Sequence, residues 1–314
     1  METVSLGATS LRSTQLAYGC WRIGGAGEPC EITPEREEAA SRAVTAAFEA
    51  GYTLFDHADI YCHGEAERMF GKVLRSVSGM RDRIVITSKC GIRKPGEPDA
   101  DAPYRYDFSE GHIIWSCEQS LKRLGVERID LYLLHRPDYL CDPEEVAQAF
   151  SRLKQAGKVS EFGVSNFTPS QLATLQKACP MRLITNQVEI SLARLDCFHD
   201  GTLDQCLTEK ITPMAWSPLG GGRLGSGDPI DLRDPDHARR LHIREVLDLT
   251  ARPRGTSRAV IALAWLLKHP SKILPIIGTT APERIGELTQ AVDVHLTREE
   301  WYRLLEAGLG RRLP

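Results

Sequence analysis

Residues 129–164 read IDLYLLHRPDYLCDPEEVAQAFSRLKQAGKVSEFGV. The first six, Ile129-Asp130-Leu131-Tyr132-Leu133-Leu134, form an almost unbroken apolar run, which is what a strand covered on both faces requires. A short polar connection leads to Asp142-Pro143-Glu144-Glu145, a helix start with a capping side chain and proline in the first turn. Val146, Ala149, Phe150 and Leu153 then fall on one helical face, and Gly157 closes the element. A second apolar run follows at Phe162-Gly163-Val164. Strand, helix and strand in this order make a βαβ unit with parallel strands.

The alternation extends in both directions. Apolar runs precede it at Leu16-Ala17-Tyr18, Thr53-Leu54-Phe55 and Ile84-Val85-Ile86-Thr87, and follow it at Thr185-Asn186-Gln187-Val188, Pro213-Met214-Ala215-Trp216 and Ile273-Leu274-Pro275-Ile276-Ile277. Helical stripes lie between them. Ala40, Ala43, Val44, Ala47 and Phe48 follow Thr33-Pro34; Leu172 and Leu175 follow Thr168-Pro169-Ser170-Gln171; Ile285, Leu288 and Val292 follow Thr280-Ala281-Pro282-Glu283. Each of these starts repeats the capping device.

Eight strand candidates alternating with helices predict a single α/β domain over residues 1–314, a (β/α)8 TIM barrel with an N-terminal strand segment. Extra helices are expected after the seventh strand, at Ala238–Arg252, and at the C-terminus behind Thr297-Arg298-Glu299-Glu300. A doubly wound open sheet is the alternative, but no G-x-G-x-x-G turn follows a first strand. Two connections are long, Cys90 to Phe108 and Ser217 to about Asp236, and both leave the strand ends where barrel active sites gather.

The 314 residues carry a net charge of -3 and a pI near 6.3, which gives no electrostatic reason to expect nucleic acid or an anionic membrane as partner. No apolar run approaches the length of a membrane span, and the N-terminus lacks the layout of a signal peptide. Nine cysteines without a C-x-x-C pair are expected to be free thiols of a cytoplasmic protein. No ligand cluster has the spacing of a metal site.

Polar residues at the C-terminal ends of the strands are the candidates for chemistry. Asp56 ends the second strand, with Tyr61 in the loop beyond; Lys89 ends the third and His135 the fourth. Singly, each has an ordinary structural role, as a strand cap, a loop aromatic, an exposed terminus or a satisfied histidine. Together they deliver a carboxylate, a phenol, an amine and an imidazole to one mouth of the barrel. Lys89 at the end of an apolar strand needs a partner, and Asp56 on the neighbouring strand supplies one. The adjacent ammonium is expected to lower the Tyr61 pKa, making Tyr61 a general acid for a carbonyl oxygen. His135 would orient that carbonyl or share the proton.

Over nearly its whole length the sequence resembles the aldo-keto reductase superfamily, especially a bacterial branch with unassigned substrates. Phe55-Asp56-His57-Ala58-Asp59-Ile60-Tyr61, Thr87-Ser88-Lys89, the run ending in His135, Gly163-Val164-Ser165-Asn166-Phe167 and Asn186-Gln187-Val188-Glu189 carry the resemblance in order. It implies reversible, nicotinamide-dependent reduction of aldehydes or ketones to alcohols, with Tyr61 as the acid. Ser165, Asn166 and Gln187 would hold the carboxamide, Trp216 would stack on the nicotinamide, and Asp56 would lie beside it. Gly19, Cys20 and Trp21 would line the first loop. Ser217, Leu219, Gly220, Gly221 and Gly222 would approach the pyrophosphate, where glycines leave backbone donors accessible. Gly278, Thr279, Thr280 and Arg284 would meet the 2′-phosphate and Glu287 the adenine.

The resemblance favours NADP(H) over NAD(H), although Gly278 stands where many relatives place a lysine. Trp21, Tyr61 and His135 are expected to form the substrate pocket. Tyr104 and His63 are further candidates for its wall, whereas Trp115, within a helical stretch, is expected to be buried packing. The expected partner is a small carbonyl or alcohol, met by a monomer or small homo-oligomer. Two other roles are conceivable for such a chain. A redox-sensing regulatory subunit would want a docking tail, which the sequence lacks; a Schiff-base aldolase using Lys89 would leave Ser165, Asn166, Gln187 and Trp216 without a task.

Overall fold

The computed structural model describes residues 1–25, 32–225 and 228–314. Its strands are β1 (Thr3–Ser5), β2 (Arg12–Thr14), β3 (Ala17–Gly19), β4 (Leu54–Asp56), β5 (Val85–Cys90), β6 (Ile92–Arg93), β7 (Arg105–Tyr106), β8 (Ile129–Leu134), β9 (Val159–Ser165), β10 (Leu183–Glu189), β11 (Thr212–Trp216) and β12 (Leu274–Ile277). Strands β3, β4, β5, β8, β9, β10, β11 and β12 pair in parallel and close into a barrel. This is the (β/α)8 TIM barrel expected from the sequence.

The helices are α1 (Pro34–Glu49), α2 (Glu65–Ser76), α3 (Glu110–Leu124), α4 (Pro143–Gln155), α5 (Pro169–Ala178), α6 (Thr202–Glu209), α7 (His237–Ala251), α8 (Arg258–Leu267), α9 (Pro282–Leu288) and α10 (Arg298–Leu309). Of these, α7 and α10 are extra to the barrel repeat. They pack with α8 around the buried Ile243, Leu247, Ile261 and Leu304. Trp265 and Trp301 donate their indole N–H groups to each other's carbonyls at 3.0 Å, which pins α8 to α10.

The N-terminal segment is an antiparallel hairpin, β1–β2, that closes one end of the barrel. Leu6, from its turn, is fully buried among Ala17, Leu54, Val85, Leu131 and Met214. The Gly7 N–H donates to Thr212 Oγ1 at 2.7 Å and the Thr14 N–H to Thr53 Oγ1 at 2.8 Å. Both threonines stand where a barrel strand begins, so the hairpin plugs the end opposite the strand C-termini. The other end stays open.

Helix starts behave largely as expected. Thr33, Asp142, Thr168 and Thr297 all cap through their side chains, and Thr168 and Thr297 form reciprocal capping boxes. The start of α9 differs: its cap residue is Ala281, with no side-chain bond. Thr279 Oγ1 accepts instead from the Ala281 N–H at 3.3 Å, ahead of the helix, and Thr280 is exposed. The cysteines also depart from expectation. Among the described residues seven are free, but Cys62 is disulfide-bonded, and its Sγ lies 3.3 Å from the Gly24 carbonyl; Cys30 lies outside the described residues. Among the described residues no helix is long and apolar enough to cross a membrane.

Candidate active site

Strand register gathers the four strand-end residues. Asp56 pairs with Thr87 across β4 and β5; Lys89, two residues on, therefore projects from the same face one step higher. Its side chain is fully buried and its three N–H donors are all used. They reach Asp56 Oδ2 at 2.8 Å, the His57 carbonyl at 2.7 Å and the Tyr61 hydroxyl at 3.0 Å. Burial pushes the Lys89 pKa down, but its electrostatic contacts and hydrogen bonds with Asp56 and Tyr61 together outweigh it and the net shift is upward. Asp56 Oδ1 accepts from Gln187 Nε2 at 2.8 Å, so β10 braces the carboxylate from across the barrel.

Tyr61 is held by the chain just before and after it. The His57 N–H and Asp59 N–H donate to the Thr87 and Lys89 carbonyls at 2.8 and 3.1 Å, so the loop follows β5 beyond the end of β4. Asp59 Oδ2 accepts from Ser116 Oγ of α3 at 2.5 Å; burial nonetheless raises the Asp59 pKa to about 7. Cys62 and His63 then adopt left-handed φ values of 50° and 52°, sparsely populated backbone that persists where surrounding contacts enforce it. The expected fall in the Tyr61 pKa is reversed: burial raises it more than Lys89 lowers it. His135 contacts Tyr61 edge to face at 5.9 Å between ring centroids. Burial first, then Lys89 and Arg136, hold its pKa well below the ordinary value. It is a neutral imidazole, and its Nδ1 is buried without a partner.

These residues open onto an elongated cavity of about 780 Å³. Gly19, Trp21, Asp56, Tyr61 and His135 line its reactive end, together with Ser165, Asn166, Gln187 and Trp216. Asn166 holds φ 63°, and its Oδ1 accepts from Trp216 Nε1 at 3.0 Å. The amide thereby fixes the indole edge on. Ser217, Leu219, Gly221 and Gly222 line the middle. Gly221 and Gly222 have φ of 70° and 96°, and a Cβ at Gly222 would meet nothing within 4 Å. Gly278, Thr279, Arg284 and Glu287 line the far end. Cys20 is wholly buried outside the lining; Gly220 is buried and Thr280 exposed, and neither lines the cavity.

A long groove with an aromatic plate and amides at one end, open glycine backbone in the middle and the exposed Arg284 guanidinium at the other fits a dinucleotide. Arg284 forms no hydrogen bond or ion pair with the described residues. Other expectations fall away. Tyr104 and Trp115 are 54% and 53% exposed, with Tyr104 beside the β6–β7 hairpin and Trp115 on the outer face of α3 against His112. His63 is exposed and meets Lys94 Nζ at 3.1 Å. Sequence reasoning missed Arg136, a lining residue with its guanidinium 5.6 Å from the Trp216 ring centroid. Its place directly after a strand-end histidine was the available signal. It also missed Arg22, which donates to the Gly221 carbonyl at 3.3 Å across the mouth.

The model of the Aldo/keto reductase family matches residues 15–308. A 6-dehydroglucose reductase of Novosphingobium aromaticivorans is 40% identical over 98% of this chain and 96% of its own. The oxidoreductase YdhF of Escherichia coli is 43% identical over 85% of this chain and 86% of its own. Among solved structures, the glycerol dehydrogenase of Gluconobacter oxydans superposes with a TM-score of 0.85 at 25% identity, over 99% of this chain and 97% of that one.

Proposed function

The chain belongs to the aldo/keto reductase family, and we propose that it is an NADPH-dependent reductase of aldehydes and ketones, acting reversibly. One observation carries the reading. The Lys89 ammonium has no lone pair, so at 3.0 Å it can only donate to the Tyr61 oxygen. The proton of Tyr61 must then point elsewhere, and the remaining open side is the cavity.

A bound reduced nicotinamide supplies hydride to the carbonyl carbon. Trp216, Ser165, Asn166 and Gln187 are the residues to hold its ring and carboxamide, with Gly19 and Trp21 beside them. Ser217, Leu219, Gly221 and Gly222 would meet the pyrophosphate. Thr279, Arg284 and Glu287 would meet the adenosine end, where Gly278 adds room rather than charge. A free guanidinium is the feature that favours NADPH over NADH, because it matches a phosphate dianion.

The chain's own groups manage the proton. Tyr61 donates it to the carbonyl oxygen while His135, neutral, offers an N–H to the same oxygen. Lys89 stabilises the charge left on the phenol oxygen, and Asp56 keeps Lys89 charged and in place. Such general acid catalysis contributes about 10²–10⁴-fold. Lys89 is unsuited to Schiff-base chemistry, since its amine is protonated and all three donors are engaged. Seven free thiols among the described residues favour a cytoplasmic setting, and the disulfide at Cys62 weighs against it.

The test is a panel of aldehydes and ketones assayed with NADPH and NADH side by side, using wild type and Tyr61→Phe. Wild type should consume NADPH in preference. The variant should still quench tryptophan fluorescence on binding NADPH but lose turnover by about 10²-fold or more. Undiminished turnover in Tyr61→Phe would remove Tyr61 from the acid role; no consumption of either cofactor would end the reading.

A further inference from the structure

Arg136 stands in the wall of the reactive end of the cavity, one residue beyond His135. It is half-buried, and its guanidinium lies 5.6 Å from the centroid of the Trp216 ring. Partly buried arginines elsewhere in the protein hold anions or carbonyls. Arg123 reaches Glu67 at 2.7 Å, Arg254 reaches Glu300 at 2.7 Å and Arg105 reaches the Glu97 carbonyl at 2.7 Å. Arg136 forms no hydrogen bond or ion pair with the described residues.

The nearby carboxylates do not serve it. Asp56 is held by Lys89 and Gln187. Glu189, at the end of β10, is close enough to feel the charge of Arg136, but its ion-pair partner is Arg194 at 3.9 Å. Five N–H donors in a planar fork therefore stand at a cavity with one stacking contact and no acceptor among the described residues. Partial burial removes water from a cation, a cost ordinarily offset by a paired anion. The geometry also couples this cation to the chemistry, because Trp216 and His135 flank it and Tyr61 contacts His135.

We propose that Arg136 is a specificity-determining residue, and that the preferred substrates are small aldehydes or ketones carrying a carboxylate or phosphate. The anion would seat on the guanidinium while the carbonyl oxygen meets Tyr61 and His135. This rests on the carbonyl-reductase reading above and adds the substrate class to it. Guanidinium suits both anions through paired N–H···O bonds, which a lysine in the same place would not reproduce.

Flexible substrates let the two ends find their own separation. 4-Oxobutanoate is compared with its methyl ester, and glyceraldehyde 3-phosphate with glyceraldehyde, using wild type, Arg136→Met and Arg136→Lys. Binding of 4-hydroxybutanoate and its methyl ester to the NADP-loaded protein is followed in parallel by tryptophan fluorescence. Wild type should prefer the charged member of at least one pair, and the pair that responds tells carboxylate from phosphate. In Arg136→Met the charged-to-neutral ratio of kcat/KM should fall by about 10- to 100-fold, with partial recovery in Arg136→Lys. An unchanged ratio, with neutral aldehydes still reduced, overturns the anion site and leaves the reductase intact. Arg136-dependent binding of 4-hydroxybutanoate with no reduction of any aldehyde would do the reverse.

Discussion

Replacing Lys89 by methionine separates the stability of this site from its chemistry. Methionine keeps the length and apolar stem of the side chain but removes a charge that is wholly buried. Asp56, with its side chain 4% exposed, would keep only the Gln187 hydrogen bond. Breaking a buried ion pair by removing one partner costs about 3–5 kcal/mol, because the other charge is left uncompensated. For 314 residues the unfolding entropy near 60 °C is about 0.66 kcal/mol per degree, so that cost is a fall of roughly 5–8 °C in Tm. Neutralising both members in Asp56→Asn/Lys89→Met should recover most of the loss, since a neutral pair avoids two desolvation penalties. Turnover should be absent from both variants, because neither can stabilise charge on the Tyr61 oxygen. Scanning calorimetry at pH 7 with a parallel carbonyl-reduction assay reads all of this. A Lys89→Met Tm within about 2 °C of wild type, or a double variant no more stable than the single one, would refute the buried-pair account.

The alkaline limb of the pH–rate profile tests the sign of the Tyr61 shift: with its pKa raised, reduction should not decline below pH ~10, whereas alcohol oxidation, which needs the phenolate, should still be rising there. Arg284→Ala should raise the KM for NADPH about tenfold or more and leave that for NADH nearly unchanged; equal effects on both would show that Arg284 does not meet the 2′-phosphate. His57 is buried with both ring nitrogens unpartnered and its pKa held at about 3. The unfolded chain therefore binds a proton below pH 6.5 that the folded chain refuses, so stability contributed at neutral pH is lost as pH falls from 6.5 toward 3. His57→Leu should gain on wild type in that window, by up to about 1.4 kcal/mol per pH unit. Urea midpoints at pH 7.5 and 5 measure it, and an equal gap at both pH values would contradict a neutral buried His57.

Much of the fold was legible because doubly covered parallel strands read as short continuous apolar runs while their helices carry a one-sided stripe, and eight repeats average out local errors. The N-terminal hairpin was the weak point in that reading: Thr3–Ser5 and Arg12–Thr14 are too short to show a pattern, and only the seating of Leu6 inside the barrel explains them. The start of α9 departs from the pattern because the helix begins one residue later than Thr280 suggests: Ala281 is its cap residue and no side chain caps it. At the site, Asp56, Tyr61, Lys89 and His135 were found by the rule that barrel chemistry sits at strand ends. Arg136 directly follows His135, just beyond the end of its strand, within reach of the same rule. The resemblance put Cys20 on the first loop of the cavity with Gly19 and Trp21, yet it is buried in the core and does not line the cavity. Sequence neighbours in a tight turn do not share a face.

The Tyr61 shift shows what proximity alone cannot decide. Sequence places an ammonium beside a phenol, and that contact does lower the phenol pKa. The opposing effect comes from every atom that excludes water around the ring, and no motif encodes that number. Here exclusion wins, and the outcome suits reduction better than the expected one. A phenol that held its proton loosely would spend part of its time as phenolate and be idle as an acid. One that is buried stays protonated, and the ammonium at 3.0 Å matters only once charge develops on the oxygen. Lys89 then acts on the transition state more than on the resting group, which is where an interaction must be stronger to accelerate a reaction.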